Sequence, residues 1–271
     1  MNELVIEKTE DENKLKIGLA LGAGFFRGLA HIGVLQVLEE NGIEIDLIAG
    51  TSMGSVIGSI YATGMGINML ERLVYSLNER MFYDVGRSKK GFIKGEKIVS
   101  FMKTLTGDKT FDQADIPFAA VACDIETGEK LVISRGKIYE AVRASTSVPG
   151  IFVPYEVDGR VLVDGGVLER VPSSVVREMG ADLVIAVDVG AREGRYEVKG
   201  TMDIILRTIE LMQFSTVALG PPADMLIAPK VRHIDIMTMN DSEECIELGR
   251  EAARQAIPII KEKIAERSKE K

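Results

Sequence analysis

The sequence predicts an α/β protein built on a central, mostly parallel β-sheet that helices cover on both faces. Strand-like segments alternate along the chain with segments of helical periodicity, which is typical of this class. Several strand segments, such as Leu183–Val189, are almost continuously apolar, as expected of strands buried on both faces. The 271 residues, 46% of them hydrophobic, suffice for one large core. We therefore predict a charged, flexible segment over 1–14 and a single domain over 15–271.

Strands and helices are assigned in chain order from periodicity and from the residues that end each segment. Asn41-Gly42 ends the first helix, and Asp158-Gly159 is a turn pair typical of hairpins. The predicted strands are Leu15–Leu21, Ile45–Ala49, Phe118–Asp124, Lys130–Ser134, Val153–Val157, Arg160–Val163, Leu183–Val189, Met225–Ala228 and His233–Met237. The predicted helices are Leu29–Glu40, a helix ending near Thr63, Asn68–Leu77, Glu96–Leu105, Lys137–Ala144, one opened by Pro172, Thr201–Ala218, and a tail from Ser242 that Pro258 kinks.

A serine between two glycines follows the second predicted strand, in the order Gly50-Thr51-Ser52-Met53-Gly54. A strand, a sharp turn and a helix in this order are typical of a nucleophile elbow, which exposes the serine in a strained conformation. The helix N-terminus behind Ser52 favours developing negative charge. A plain glycine-rich turn that caps a helix is the alternative interpretation.

A second glycine-containing loop, Gly22–Gly28, joins the first strand to the first helix. Its backbone N–H groups could bind the oxyanion of an acyl-transfer intermediate. Nucleotide binding is the competing interpretation, but the spacing is GxGxxxG rather than GxGxxG, and no GK[ST] follows.

Asp164, followed by Gly165 and Gly166 at a predicted strand end, is the candidate base. A turn or a helix cap is its structural alternative. The chain has only two histidines, so a Ser-His-Asp triad would have to use His31 or His233. His31 lies on an apolar helix side, and His233 begins a predicted strand rather than a loop. The scarcity of histidine favours a carboxylate base in a setting that raises its proton affinity.

Net charge and composition exclude several classes of protein. A net charge of −8, with no basic stripe, argues against nucleic acid as a partner. The acidic N-terminus differs from a signal peptide, and a reduced Cys123 in an apolar run fits a cytoplasmic location. The uncharged stretch from Leu47 to Leu70 is long enough for a membrane span, but its glycines and hydroxyl residues favour a strand and a buried helix.

The chain resembles the patatin-like phospholipases, in their small bacterial cytoplasmic branch, over roughly residues 15 to 190. The matching segments are LALGAGFFRGLAHIGVL, GTSMGS, AVRASTSVPGIFVPYEVDGR and LVDGGVLERVP. The resemblance implies a three-layer α/β/α sandwich and lipid acyl hydrolysis through a Ser-Asp dyad, without a metal or another cofactor.

By this resemblance Ser52 is the nucleophile and Asp164 the general base. The oxyanion donors are backbone groups of Ala23, Gly24 and Phe25, with Met53 after the nucleophile, and Arg27 supports the loop. In the family the positions of Ala23 and Phe25 are glycines, so Phe25 either lines an acyl pocket or alters the activity.

Two other functions remain open from the sequence. One is a non-catalytic regulatory or lipid-binding protein on the same fold, which Phe25 motivates. The other is an acyltransferase that passes the acyl group to an acceptor other than water. An acyl groove could be lined by Met53, Met65, Met69, Met81 and Phe82. A basic stretch contains Arg87, Lys89, Lys90, Lys94 and Lys97. We interpret it either as a solvated loop or as a flap that touches a membrane transiently.

Overall fold

One mixed sheet of eight strands forms the centre of this computed structural model, within residues 14–86, 89–190, 198, 200–217 and 223–271, which the structure describes. The strands are β1 (Ile17–Leu21), β2 (Leu47–Thr51), β3 (Phe118–Asp124), β4 (Lys130–Ile133), β5 (Tyr155–Val157), β6 (Arg160–Asp164), β7 (Leu183–Val187) and β8 (Met225–Ile227). The helices are α1 (Ala30–Glu40), α2 (Met53–Ala62), α3 (Ile67–Ser76), α4 (Glu96–Leu105), α5 (Ile138–Ser145), α6 (Ser173–Glu178), α7 (Thr201–Val217) and α8 (Ser242–Glu270). Residues 1–13, most of the segment expected to be flexible, and Arg87 lie outside the described ranges.

The sheet is parallel in its centre and antiparallel at one end. Its strand order is β5-β6-β3-β2-β1-β7-β8, and β4 also pairs with β3. The pairs β1–β2, β2–β3, β1–β7 and β7–β8 are parallel, whereas β4 and β6 run antiparallel to β3. Asp158 and Gly159 both have positive φ in the β5–β6 turn, as a two-residue hairpin requires. The predicted mostly parallel sheet is confirmed.

Alternate residues of the strands point into two apolar layers. Leu19 and Leu21 of β1 pack in the larger core together with residues of α1, α2 and α8. Ala20, between them, belongs to a second core that includes Val175 and Val176 of α6. The strands are therefore buried on both faces, which explains their continuous hydrophobicity. This arrangement confirms the three-layer α/β/α sandwich.

Helices α1 and α8 lie in very close contact because each has a glycine at the crossing. A Cβ atom placed on Gly33 would lie 2.0 Å from the carbonyl oxygen of Ile246. A Cβ atom on Gly249 would lie 2.0 Å from the carbonyl oxygen of Ala30. The long helix α8 runs over 29 residues and continues through Pro258. The C-terminal part of the chain is thus fixed against the helix that follows the glycine-containing loop.

One predicted strand is wrong. His233–Met237 forms turns and bends instead of a strand. Its backbone groups bond to side chains and to a loop: the carbonyl oxygen of Ile234 accepts from Arg27 Nε at 3.0 Å, and that of Ile236 accepts from the Phe26 N–H at 3.4 Å. These contacts replace the ladder hydrogen bonds that a strand would need.

None of the helices in the described part of the chain combines the length and apolarity needed to cross a bilayer. The uncharged stretch from Leu47 to Leu70 instead forms β2, α2 and the first turn of α3.

Replacing Gly249 with alanine is expected to destabilise the fold by about 1–3 kcal/mol, because the added methyl group overpacks the α1–α8 contact. Urea unfolding followed by circular dichroism measures this change. Gly66→Ala is the matched control, since no atom lies within 4 Å of the Cβ position at Gly66. Equal stability of Gly249→Ala and the wild type would contradict the close crossing.

Candidate active site

Ser52 sits at a sharp turn between β2 and α2 with a strained backbone. Its φ and ψ angles are 54° and −123°, an unfavourable region for a residue with a side chain. The two flanking glycines make the turn sterically possible. A Cβ on Gly54 would lie 2.0 Å from the carbonyl oxygen of Leu21, and a Cβ on Gly50 would lie 2.5 Å from the backbone of Ser55. This is the geometry of a nucleophile elbow.

The conformation of Ser52 is held by a residue from α5. The Ser52 amide N–H donates to Ser145 Oγ at 2.9 Å, and the Ser145 hydroxyl donates in turn to the carbonyl oxygen of Val121 at 2.6 Å. Ser145 is fully buried. The elbow is thereby tied to β3, the strand that also positions the candidate base.

Strand β3 places the elbow and Asp164 side by side. Thr51 is in register with Val121, and Asp164 is in register with the next residue of β3, Ala122. Gly165 allows this approach, because a Cβ there would lie 2.3 Å from the carbonyl oxygen of Val121. The two glycines after Asp164 therefore serve the close backbone packing that the sequence indicated.

The Ser52 hydroxyl lies beside the Asp164 carboxylate and favours its charged form. Asp164 is buried, and its Oδ1 accepts the Gly166 N–H at 2.8 Å. Burial disfavours the charged form and raises the pKa of Asp164 to about 6, although the Ser52 hydroxyl and the Gly166 N–H oppose the shift. A carboxylate with this pKa is a stronger base than an exposed aspartate.

Three backbone N–H groups near Ser52 have no hydrogen-bond partner among the described residues: those of Gly24, Phe25 and Met53. These groups are available for a ligand oxygen. The Ala23 N–H is not, because it donates to the carbonyl oxygen of Arg170 at 2.9 Å. We therefore correct the expectation that Ala23 contributes a donor.

Phe25 occupies a backbone conformation that favours glycine. Its φ angle is 50°, which costs a residue with a Cβ about 1–2 kcal/mol. The loop thus keeps the path that a glycine would take, and the phenylalanine ring lines the apolar cavity beside Ser52. Of the two expectations for Phe25, the geometry favours the lining of a pocket.

Arg27 holds the Gly22–Gly28 loop in place. Its nearly buried guanidinium donates to the carbonyl oxygens of Ile234 and Arg232 and pairs with Glu210 of α7 at 3.1 Å. Arg27 thereby joins the loop to α7 and to the segment before α8. Its role in supporting an oxyanion hole stays a prediction.

Neither histidine is placed to act on Ser52. His31 is fully buried, and its Nε2 donates to the carbonyl oxygen of Gly22 at 2.8 Å. Desolvation lowers the pKa of His31 to about 4, so the ring stays neutral near pH 7. His233 is exposed and bonds to Glu244, away from the residues that line the cavities at Ser52. The triad alternative has no geometric support.

An apolar cavity of about 100 Å³ ends at Ser52. Aromatic and aliphatic side chains from the Gly22–Gly28 loop, α2, α3 and α4 form its walls. Met53 and Phe82 line it as expected, whereas Met65, Met69 and Met81 do not. Met69 and Met81 are exposed, because they lie on the outer side of α3 and of the turn that follows.

A second, smaller cavity of about 20 Å³ also borders Ser52. Asp164, Gly24 and Phe25 line it together with Glu210 and Gln213 of α7. Ser52 therefore borders two cavities, and the smaller one contains Asp164 in its wall.

Sequence reasoning assigned no role to the Ser145-Thr146-Ser147 run, although the run was part of the family resemblance. Ser145 anchors Ser52, and the carbonyl oxygen of Ser147 accepts the Asp164 N–H at 2.9 Å. Arg143 donates to Ser147 Oγ. The sequence signal for these contacts was the run of three hydroxyl residues at the end of α5.

Among the described residues, no three His, Cys, Asp or Glu side chains are grouped so that they could hold a metal ion. Cys123 and Cys245 are both buried and free.

Comparison with known proteins identifies the family. The model of the patatin-like phospholipases matches residues 19–176. An uncharacterised NTE family protein of Mycobacterium tuberculosis is 40% identical over 181 residues, which are 66% of this chain and 50% of that protein. The human patatin-like phospholipase domain-containing protein 6 is 33% identical over 185 residues, 65% of this chain and 14% of that protein.

The chain thus spans half the length, or less, of these curated relatives. Among solved structures, VipD from Legionella pneumophila superposes with a TM-score of 0.63 over 94% of this chain and 70% of that one, at 14% identity, and so shares the fold. The family match covers more than half of the chain and contains both Ser52 and Asp164. This chain belongs to the patatin-like phospholipase family.

Proposed function

We propose that this protein is a serine hydrolase that cleaves acyl esters of lipids, with Ser52 as nucleophile and Asp164 as base. The observation that carries the proposal is the placement of the Ser52 hydroxyl beside a buried carboxylate of raised pKa, at the wall of an apolar cavity. Membership of the patatin-like phospholipase family supports the same reaction class.

In the acylation step, Ser52 Oγ attacks the ester carbonyl carbon while Asp164 accepts the hydroxyl proton. The negative charge on the carbonyl oxygen is stabilised by the N–H groups of Gly24, Phe25 and Met53. Collapse of the tetrahedral intermediate breaks the ester C–O bond. The protonated Asp164 returns its proton to the departing alkoxide, which leaves as an alcohol.

In the deacylation step, the alcohol has left and a water molecule enters the smaller cavity beside Asp164. Asp164 accepts a proton from this water, whose oxygen attacks the acyl-serine carbonyl. The second tetrahedral intermediate collapses to a free fatty acid, and Ser52 recovers its proton from Asp164. The dyad thus returns to its starting state with one water consumed.

The two cavities separate the parts of the substrate. The apolar walls suit a hydrocarbon chain, because burying each methylene group contributes about 0.8 kcal/mol. The smaller cavity, of about 20 Å³ and with Asp164 in its wall, has room for the attacking water. Phospholipids and lysophospholipids are the candidate substrates, and a membrane surface is their source.

Replacing Ser52 with alanine or Asp164 with asparagine is expected to lower kcat by about 10³-fold or more, because the two residues act as one unit. Release of p-nitrophenol from short- and medium-chain p-nitrophenyl esters measures the loss. The double variant is expected to lose little more than either single variant.

His233→Ala is the control for the triad alternative, and it is expected to retain wild-type activity. A loss of activity in His233→Ala together with an active Asp164→Asn would contradict the dyad. Labelling of Ser52 by a fluorophosphonate probe separates the hydrolase from a non-catalytic lipid-binding protein, since only an activated serine reacts. Absence of labelling in a folded wild type would favour the binding protein.

The pH dependence of kcat/KM is expected to follow the ionisation of Asp164. Only the carboxylate form accepts the Ser52 proton, so kcat/KM should fall about tenfold per pH unit below an apparent pKa of about 6. A pH–rate profile in buffers of constant ionic strength measures this. A profile that stays flat down to about pH 4 would contradict the raised pKa of the base.

The same pKa predicts a pH-dependent stability. The carboxyl pKa is about 6 in the folded state and near 3.8 when unfolded, so the folded state binds the proton more tightly. The stability that this proton provides is fully present below about pH 4 and is lost as the pH rises through about 6. A shift of this size corresponds to about 3 kcal/mol in the free energy of unfolding.

Asp164→Asn removes this contribution. Between about pH 4 and pH 7 the variant should therefore gain up to about 3 kcal/mol in stability relative to the wild type. Urea unfolding at both pH values measures the difference, with the exposed Glu262→Gln as a control for general charge effects. If the free energies of unfolding of Asp164→Asn and the wild type differ by the same amount at both pH values, the titration of a buried Asp164 is contradicted.

A further inference from the structure

The loop between α3 and α4 has an apolar inner side and an apolar outer side. Phe82 and Tyr83 point inward and line the cavity that ends at Ser52. Met81, Val85 and Phe92 point outward and are 51%, 81% and 61% exposed. The described residues 79–86 and 89–97, the last two of which begin α4, are here called the 79–97 loop. Large apolar side chains exposed together on a surface indicate an interaction site.

The 79–97 loop is held in place by backbone hydrogen bonds. Val85 forms an antiparallel bridge with Ile93, and the Gly86 N–H donates to the carbonyl oxygen of Phe92 at 3.0 Å. The Ile93 N–H donates to the carbonyl oxygen of Ile151 at 2.9 Å, next to the cavity-lining Phe152. Val85 and Phe92 thus lie on paired backbone segments that are attached beside the wall of the cavity.

The 79–97 loop has more basic than acidic residues, in a protein of net charge −8. The described part of the loop carries five basic residues, Arg80, Lys89, Lys90, Lys94 and Lys97, against three acidic ones, Glu79, Asp84 and Glu96. The Asp84 carboxylate accepts the N–H groups of Gly95 and Glu96 at the start of α4, both at 2.8 Å. Lys89 and Lys94 are exposed, and their ammonium groups have no partner among the described residues.

We propose that the 79–97 loop is the surface by which this protein docks on an anionic lipid bilayer. The choice of a lipid bilayer as the partner rests on the proposed lipid-ester hydrolysis. Docking itself does not require the hydrolytic reaction. Met81, Val85 and Phe92 enter the headgroup region, while Lys89 and Lys94 contact anionic headgroups. The net negative charge of the rest of the molecule orients this face toward the bilayer.

The docked orientation places acyl chains beside the catalytic cavity. Phe82 and Tyr83 belong to the same loop as the inserting side chains, so only the thickness of this loop separates the bilayer from the apolar space. A lipid leaving the bilayer here exchanges one apolar environment for another. The cost of exposing its acyl chain to water is thereby avoided.

Vesicle flotation in the Ser52→Ala background tests the proposal without hydrolysing the lipid. The probes are vesicles of phosphatidylglycerol and phosphatidylcholine in equal parts and vesicles of phosphatidylcholine alone. We expect binding to the anionic vesicles that weakens as salt is raised and is several-fold weaker on neutral vesicles. Failure of the folded protein to float with anionic vesicles at low salt would overturn the proposal.

Two variants separate the contributions of charge and insertion. Lys89→Glu/Lys94→Glu should weaken binding to anionic vesicles by at least about tenfold, because each basic residue near such a surface contributes about a fivefold affinity. Phe92→Glu should weaken binding to both kinds of vesicle. Both variants should keep the wild-type rate on a soluble short-chain p-nitrophenyl ester, measured with Ser52 intact, because neither change touches the cavity.

The matched controls are Lys261→Glu/Lys269→Glu and Ile259→Glu, all on exposed positions of α8. Binding that falls as much in these controls as in the loop variants would overturn the assignment of the surface. A dimer in analytical ultracentrifugation that Phe92→Glu abolishes, without vesicle binding by the wild type, would assign the loop to a second copy instead. If the protein with Ser52 intact hydrolyses the soluble ester but the folded protein does not bind vesicles, docking is refuted and the proposed function stands.

Discussion

The placement of the Ser52 hydroxyl beside the buried Asp164 carboxylate is the constraint on which the rest of the site depends. Burial raises the pKa of Asp164 and makes it a useful base, but an isolated buried carboxylate is costly. The Ser52 hydroxyl and the Gly166 N–H offset part of that cost. The pair forms only because Thr51 and Asp164 are held on consecutive residues of β3. The sheet register therefore determines the chemistry.

Bringing these groups together requires backbone approaches that only glycine allows. Gly54 passes the carbonyl of Leu21, and Gly165 passes the carbonyl of Val121, at distances where a Cβ would collide. Ser52 and Phe25 accept strained conformations that their surroundings hold in place. The strain at Ser52 is fixed by Ser145, and the loop of Phe25 is fixed by Arg27. Strained residues thus coincide with the proposed nucleophile and the proposed oxyanion donors.

Two cavities border Ser52. The larger, apolar one is lined by Phe82 and Tyr83 of the 79–97 loop, whereas the smaller one is lined by Glu210 of α7, which pairs with Arg27. In the proposed reaction the acyl chain occupies the larger cavity, and the proposed docking surface lies on the loop that forms its wall.

The sequence by itself determined the alternation of strands and helices and the elbow at Ser52, because glycine spacing and apolar runs are local signals. It also singled out Asp164 as a candidate base and favoured a site without histidine, and both of these stay predictions. Only the tertiary structure decided that the Ala23 N–H is used by Arg170, that His233–Met237 is not a strand, and that Ser145 anchors the elbow. Each of these depends on hydrogen bonds between residues distant in the chain. Local periodicity carries no information about such partners, and so packing alone determined which backbone N–H groups near Ser52 have no partner among the described residues.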